Sequence, residues 1–446
     1  MVGPMPQDHV PEHGQADPKL AVVSTESNID VRTIGTIPSD DTAPIVVANA
    51  AEQKLRFSWP SWSPDGGALL VSGSGNDEDG GVRLEVWRVM GDGSEQPSLV
   101  FSNDSEAATM IAPGVPHYVN WSPSGRMAAL VAQTRKGMML HLVDARRAAP
   151  AQALMAGGPL YFAWAPDSRG LAIHTGMDVL LFDTRRAGRA PSGTSGAGSE
   201  GRDASGSQRV AHDNPTFRTP VWNLDGSGFL YSTPNSSDGV TLWRSPREGE
   251  GRVAITTLDG NTNLLRAPRS DLVAVLPATA DGMTSGRALS VVGPEGMLEQ
   301  FSTGPITAAI WAPDASALYC LSPLGAEANL TLLRLDLETC RAQPLAEFRP
   351  SIEFAALLAF FDQYAQSHSL ISADGRWLTF AGLAANNGGG GRLGMAPQNG
   401  CYVVPTDGSL APRRVAEGEI SFFPPASSMG GGSNEPDRFR QPPALI

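Results

Sequence analysis

The sequence predicts an all-β fold in which short four-stranded antiparallel units stack on one another, with one helix inserted near 351–368. Three observations carry that expectation. First, a tryptophan followed by a turn recurs: PSWSPDGGALLVSG (60–73), VNWSPSGRMAALVA (119–132), FAWAPDSRGLAIHT (162–175), PVWNLDGSGFLYST (220–233), AAIWAPDASALYCLS (308–322) and SLISADGRWLTFAG (369–382), with a degenerate copy, LLRAPRSDLVAVLP, at 264–277. Second, the copies are spaced by roughly 43 to 60 residues, near the period of propeller blades. Third, 41% hydrophobic residues with Gly 49 and Pro 36 suit many short apolar strands joined by turns.

Each copy reads as one structural unit. A short strand ends in the aromatic. In the first copy Pro64 presets φ at the second turn position, Asp65 tolerates the third, and Gly66 closes the turn. An apolar strand such as ALLVSG follows. After it come a third strand, such as RLEVWRV (83–89), VTLWRS (240–245) or LTLLRLD (330–336), and a weaker fourth. No unit can bury both faces alone, so neighbours must stack, and ring closure hides the outermost faces. The recurring Asp65, Asp167, Asp225, Asp314 and Asp374 are expected to shape turns, and the tryptophans to pack between blades.

The repeated W-S-P-D-G signature resembles the TolB-like, WD-repeat-like family of β-propellers, and the propeller domains of tricorn-type and prolyl-oligopeptidase-type peptidases. The resemblance spans about residues 20–425. It implies a closed β-propeller of four-stranded antiparallel blades and a scaffolding role in a larger assembly. Neither a periplasmic signal nor a separate N-terminal α/β domain is expected to accompany it.

Seven complete units run from about residue 57 to 418. KLAVVSTESNIDVRTIGTIPSDDTAPIVVAN (19–49) reads as the second to fourth strands of a further unit, and GEISFFPPASS (418–428) as its first, with Phe422 at the tryptophan position. The expectation is eight blades, or seven if the N-terminal segment lies outside. A single domain then covers 18–428, with 18–56 plus 418–428 forming the closing blade. Segments 188–208 and 385–400 read as flexible insertions, and 1–17 and 429–446 as disordered tails. SIEFAALLAFFDQYAQSH (351–368) reads as a helix with Ser351 as N-cap and Glu353 in its first turn. It is apolar almost all round, so burial against the propeller or a partner is expected. It lies just before the inner strand of the seventh unit, on the face where a propeller's channel opens.

Charge and motifs narrow the function classes. With 33 basic and 46 acidic residues, net −13, the chain is a poor binder of phosphate backbones, so no nucleic acid partner is expected. The N-terminus has no signal-peptide pattern and no apolar run is long enough to span a bilayer. A cytoplasmic monomer without membrane insertion is expected, with a periplasmic or membrane-complex location as the alternative. Cys320, Cys340 and Cys401 are too few and scattered for a disulfide framework or zinc site. GGGRLG (389–394) lacks the strand before and helix after that a dinucleotide site needs. NDEDGG (76–81) lacks calcium-ligand spacing. Neither G-x-S-x-G nor H-E-x-x-H is present. No cofactor, metal or catalytic residue is therefore assigned.

The remaining candidate is the channel mouth. The residues three before each tryptophan position include Trp59, Tyr118, Tyr161, Thr219, Asn263, Ala308 and His368, with Glu419 for the mixed unit. His117 and Arg218 come from the neighbouring column. Of these, Trp59, His117, Tyr118, Tyr161, Arg218, Asn263 and His368 form the candidate partner-binding set. The competing reading is that they fill the throat or contact the 351–368 helix, where Asp362, Tyr364 and His368 fall close together. The function expected is a protein- or peptide-binding scaffold and not an enzyme. The alternatives are a lyase or hydrolase using His117, Arg218, His368 and Glu419, or a small-molecule sensor with the 351–368 helix as lid.

Overall fold

The structure, a computed structural model, describes residues 17–103, 109–134, 137–147, 149–186, 207–212, 214, 218–236, 239–248, 251–278, 289–294, 296, 298–301, 304–325, 328–384 and 399–426. The tails, apart from Asp17, and the glycine motif at 389–394 lie outside the described residues. So does most of both insertions expected to be flexible. Their far ends are ordered strand instead: Ser207 and Gln208 open strand Ser207–Ala211, and Gly400 opens Gly400–Pro405.

Among the described residues every strand pair is antiparallel. The sheets comprise several of four strands and one of seven. A representative sheet runs Arg56–Trp62, Ala68–Asn76, Val82–Met90, Ser98–Ser102 in simple up-and-down order. Its first turn is built as the side chains dictate. The Asp65 carboxylate accepts from the Gly67 N–H at 3.1 Å, the Ser63 hydroxyl accepts from the Ala68 N–H at 2.9 Å, and Gly66 takes φ +67°. Asp167, Asp225, Asp314 and Asp374 likewise each accept from the N–H two residues on. These aspartates are turn formers.

The tryptophans stitch neighbouring sheets. The indole N–H of Trp121 donates to the Ser61 carbonyl (2.9 Å), Trp164 to Asn120 (3.1 Å), Trp222 to Ala163 (3.0 Å), Trp311 to Leu265 (2.7 Å) and Trp62 to Phe422 (3.0 Å). Each acceptor in the first four stitches sits one residue before the tryptophan position of the preceding copy. By that register Phe423, not Phe422, is the C-terminal counterpart of the tryptophans.

The sheet that holds the first and last described strands runs Ile45–Ala48, Ile29–Thr33, Lys19–Val23, Ile420–Phe422. Its N- and C-terminal strands pair as Ala21 with Phe422 and Val23 with Ile420. Inner strands touch their neighbours in turn: Arg56–Trp62 with His117–Trp121, Leu160–Trp164 with Val221–Trp222, Val221–Trp222 with Asn261–Arg266, and Ile420–Phe422 with both Trp377–Ala384 and Arg56–Trp62.

The seven-stranded sheet explains where the helical segment sits. Strand Arg341–Pro350 pairs along most of its length with Asn329–Asp336, then bends so that Phe348–Pro350 pairs with Gly382–Ala384. Further down the same strand, Ile371 bridges Leu378 and the Thr379 N–H donates to the Leu370 carbonyl at 2.8 Å. The two halves of one innermost strand are therefore separated by residues 351–368. Gly382 permits the crossing: a Cβ there would lie 2.0 Å from the Arg349 carbonyl oxygen. A short helix α1 (Ala50–Gln53) precedes strand Arg56–Trp62, and the interruption holds α2 (Ile352–Ala359) and α3 (Phe361–Tyr364). Ser351 caps α2, its hydroxyl accepting from the Phe354 N–H at 3.1 Å, and Glu353 lies in the first turn. No helix among the described residues is long and apolar enough to cross a membrane.

Candidate functional site

Because it interrupts an innermost strand, the helical segment emerges at the inner edge of its sheet. There it reaches the inner edges of the others. Tyr364 stacks on Trp59 with ring centroids 4.7 Å apart and meets the Tyr118 ring edge-on at 5.2 Å. The Tyr118 hydroxyl donates to the Gln363 carbonyl at 2.9 Å. The Gln363 side-chain amide imitates a strand partner: its Oε1 accepts from the Phe162 N–H and its Nε2 donates to the Phe162 carbonyl, both at 3.1 Å. Thr219 donates to Asp362 Oδ2 from its backbone N–H (3.2 Å) and its hydroxyl (3.1 Å). The Ser61 hydroxyl donates to the Ser367 carbonyl at 3.3 Å. Phe361, Asp362, Gln363 and Tyr364 are all buried. Residues 361–368 thus form a plug, fastened to strand starts in several sheets.

The candidate residues divide around this plug. Trp59 and Tyr118 are buried against it, and His368 is buried at its C-terminal end. Trp59 is held at φ +51° with its indole N–H donating to the Gly114 carbonyl at 2.8 Å. His368 lies against Tyr364 (5.2 Å) and Phe422 (4.7 Å), its Nδ1 2.7 Å from the Ser367 hydroxyl. Burial pushes its imidazole down to about 3, so the ring is neutral at neutral pH. Tyr161 and Arg218 are half-buried on the Asp362 side of the plug. Burial, and then the Asp362 carboxylate, push the Tyr161 hydroxyl up to about 12. The Arg218 Nε donates to Asn261 Oδ1 at 3.4 Å. Asn263 is buried, and its Oδ1 has no hydrogen-bond partner among the described residues.

His117 faces elsewhere. Successive side chains of a strand point to opposite faces, so with Tyr118 on the plug His117 turns into the space between sheets. Its Nε2 lies 3.1 Å from Asn103 Oδ1 and its ring 5.6 Å from Phe101. Burial lowers its pKa to about 3. The proximity of Asp362, Tyr364 and His368 in sequence also resolves into two sides: Tyr364 and His368 share the aromatic cluster, whereas Asp362 bonds Thr219. Gln363 carries much of the anchoring and had no motif to announce it.

The helix is not covered on all sides. α2 buries Phe354 and Leu357 but leaves Ile352 82% and Phe360 37% exposed, with Ala355 and Ala359 exposed beside them. Burial against the propeller is thus met on the Phe354 and Leu357 side only; the sequence states how apolar the helix is, but not which sides the fold has surface to cover. At its N-terminal end the Ser351 hydroxyl donates to the Glu419 carbonyl. Burial, and then the neighbouring Glu419, raise the pKa of Glu353. Among the described residues no cluster of three or more His, Cys, Asp or Glu side chains is arranged to hold a metal ion.

No family model and no curated protein matches the chain. Solved structures do. A structure from a study of two prolyl endopeptidases is similar with a TM-score of 0.50 and 11% identity, over 82% of this chain and 50% of that one. An oligogalacturonate lyase in complex with manganese has a TM-score of 0.46 and 15% identity over 78% and 84% of the two chains. TolB from Acinetobacter baumannii has a TM-score of 0.37 and 13% identity over 81% and 84%. The chain has a β-propeller fold, and at these identities the likeness speaks to fold alone. The expectation that the chain is not an enzyme is corrected: the structure from the study of prolyl endopeptidases shares its fold, which therefore gives no ground for excluding catalysis.

Proposed function

We propose that the chain is a closed eight-bladed propeller, spanning 18–428, that binds a protein or peptide partner on its channel-mouth face, and that the outer side of the plug is the contact surface. The observation that supports this most is Ile352. It is 82% exposed on a helix whose continuation, residues 361–368, is anchored to several inner strands. Exposed apolar side chains on a rigid frame are what an interaction surface requires. In this reading Trp59 and Tyr118 hold the plug in place, and His368 packs its end against Phe422. Tyr161, Arg218 and Asn263 flank it, and His117 supports the sheet beneath. The antiparallel pairing of Lys19–Val23 with Ile420–Phe422 supports the mixed closing blade.

The test is quantitative capture from source-cell lysate by wild type and by Ile352→Glu, once both are found to melt at the same temperature. The same species should be enriched by wild type and lost by the variant. Equal capture by both proteins would remove the plug face from the proposal.

A further inference from the structure

Taking the plug's outer side as the docking surface, which rests on the proposal above, we infer that its partner is a basic amphipathic polypeptide segment. Apolar side chains of that segment seat on Ile352 and Phe360, and flanking lysines or arginines meet an acidic rim. The contact between Tyr118 and Gln363 places the plug at the starting end of the innermost strands. Antiparallel register puts the hairpins joining second to third strands at that same end, such as the one closed by Asn76 and Val82. The links leading into each innermost strand lie there too.

Those loops carry exposed Glu26, Glu52, Glu78, Asp79 and Asp259. Among the described residues the exposed bases in the same loops are Lys54 and Arg56, and Arg349 is exposed where the chain enters α2. The turns of the opposite end mix both signs, with exposed Arg126, Arg146, Arg147, Arg169, Arg185 and Arg376 beside exposed Asp65, Asp92, Glu95, Asp167, Asp225 and Glu338. The plug end also bears exposed apolar side chains beyond the helix, namely Val82, Met177 and Leu324. An apolar centre inside an acidic rim attracts a segment of opposite pattern. The charges raise its rate of encounter and select against acidic competitors, and the apolar contacts hold it.

The experiment pans a random peptide display library against the immobilised full chain, with soluble Ile352→Glu as competitor. Peptides that survive competition are sequenced. The expected result is apolar residues at helical spacing flanked by an excess of Lys and Arg. A synthetic copy of the best peptide should then bind about tenfold more weakly to a Glu52→Lys, Glu78→Lys double variant, and more weakly at high salt. Surviving peptides that are neutral or acidic, or that ignore salt and the double variant, would overturn the inference and leave the plug face standing as a surface. A library yielding no peptide sensitive to Ile352 would overturn both. The two glutamates are exposed, so the variant's fold is checked by its melting temperature.

Discussion

Tyr364 is the residue on which the plug turns. It is buried between Trp59 and Tyr118, and its loss would leave a cavity the size of an aromatic ring. Tyr364→Ala is expected to cost about 3 kcal/mol in urea unfolding, the lower end for a large buried aromatic. A change under about 1 kcal/mol would mean that the stack contributes little. The buried imidazoles give a second expectation. His117 and His368 titrate near 3 when folded, against about 6.5 when unfolded. Between those values the unfolded chain binds more protons, so stability is lost as pH falls from about 6.5 towards 3. Unfolding at pH 4.5 should show a deficit relative to pH 7 on the order of 2 kcal/mol per histidine, and His117→Asn should reduce it. A flat profile would contradict the burial of both rings. At this scale the strand-start aromatics were legible as a cluster, because their position in the repeat fixed where they converge. His117 was misread because counting columns ignored the alternation that turns it away from Tyr118.

At the scale of elements, the helix and its cap were legible in SIEF, where a serine precedes an acidic first turn. Its outward side was not, since a helix apolar all round carries no mark of which side meets protein. The split inner strand was equally hidden, because its two halves lie on either side of the insertion and only pairing to one neighbour reveals them. Gly382 marks that junction, with φ +145° and no room for a Cβ. Gly382→Ala is expected to destabilise by roughly 2 kcal/mol and to raise proteolytic cleavage within 351–368. Cleavage unchanged from wild type would argue that the two half-strands are not coupled there. The turn aspartates and the tryptophans followed the repeat, and the indole stitches give the periodicity a physical cause.

At the scale of the molecule, the repeat made the all-β architecture readable because six similar copies cannot each be stable alone. The clasp between the chain's two ends was readable only as leftover strands in need of partners. If that clasp closes the ring, removing residues 419–446 should lower the melting temperature by about 10 °C or more and broaden the transition. A truncated chain that melts like wild type would contradict closure. The end at which each charged loop lies was beyond reach of composition, since a net charge of −13 has no direction until the strands assign each loop to an end.

The claim on which the rest depends is that residues 361–368 seal the mouth as fixed structure. Amide hydrogen exchange of the free, full-length chain tests it most directly. The N–H groups of Tyr364, Ala365 and His368, bonded to Phe360, Phe361 and Tyr364 carbonyls within the plug, should exchange as slowly as those of strand His117–Trp121. Exchange at the rate of an exposed loop would mean that the plug is open in solution and the surface assigned to it does not exist.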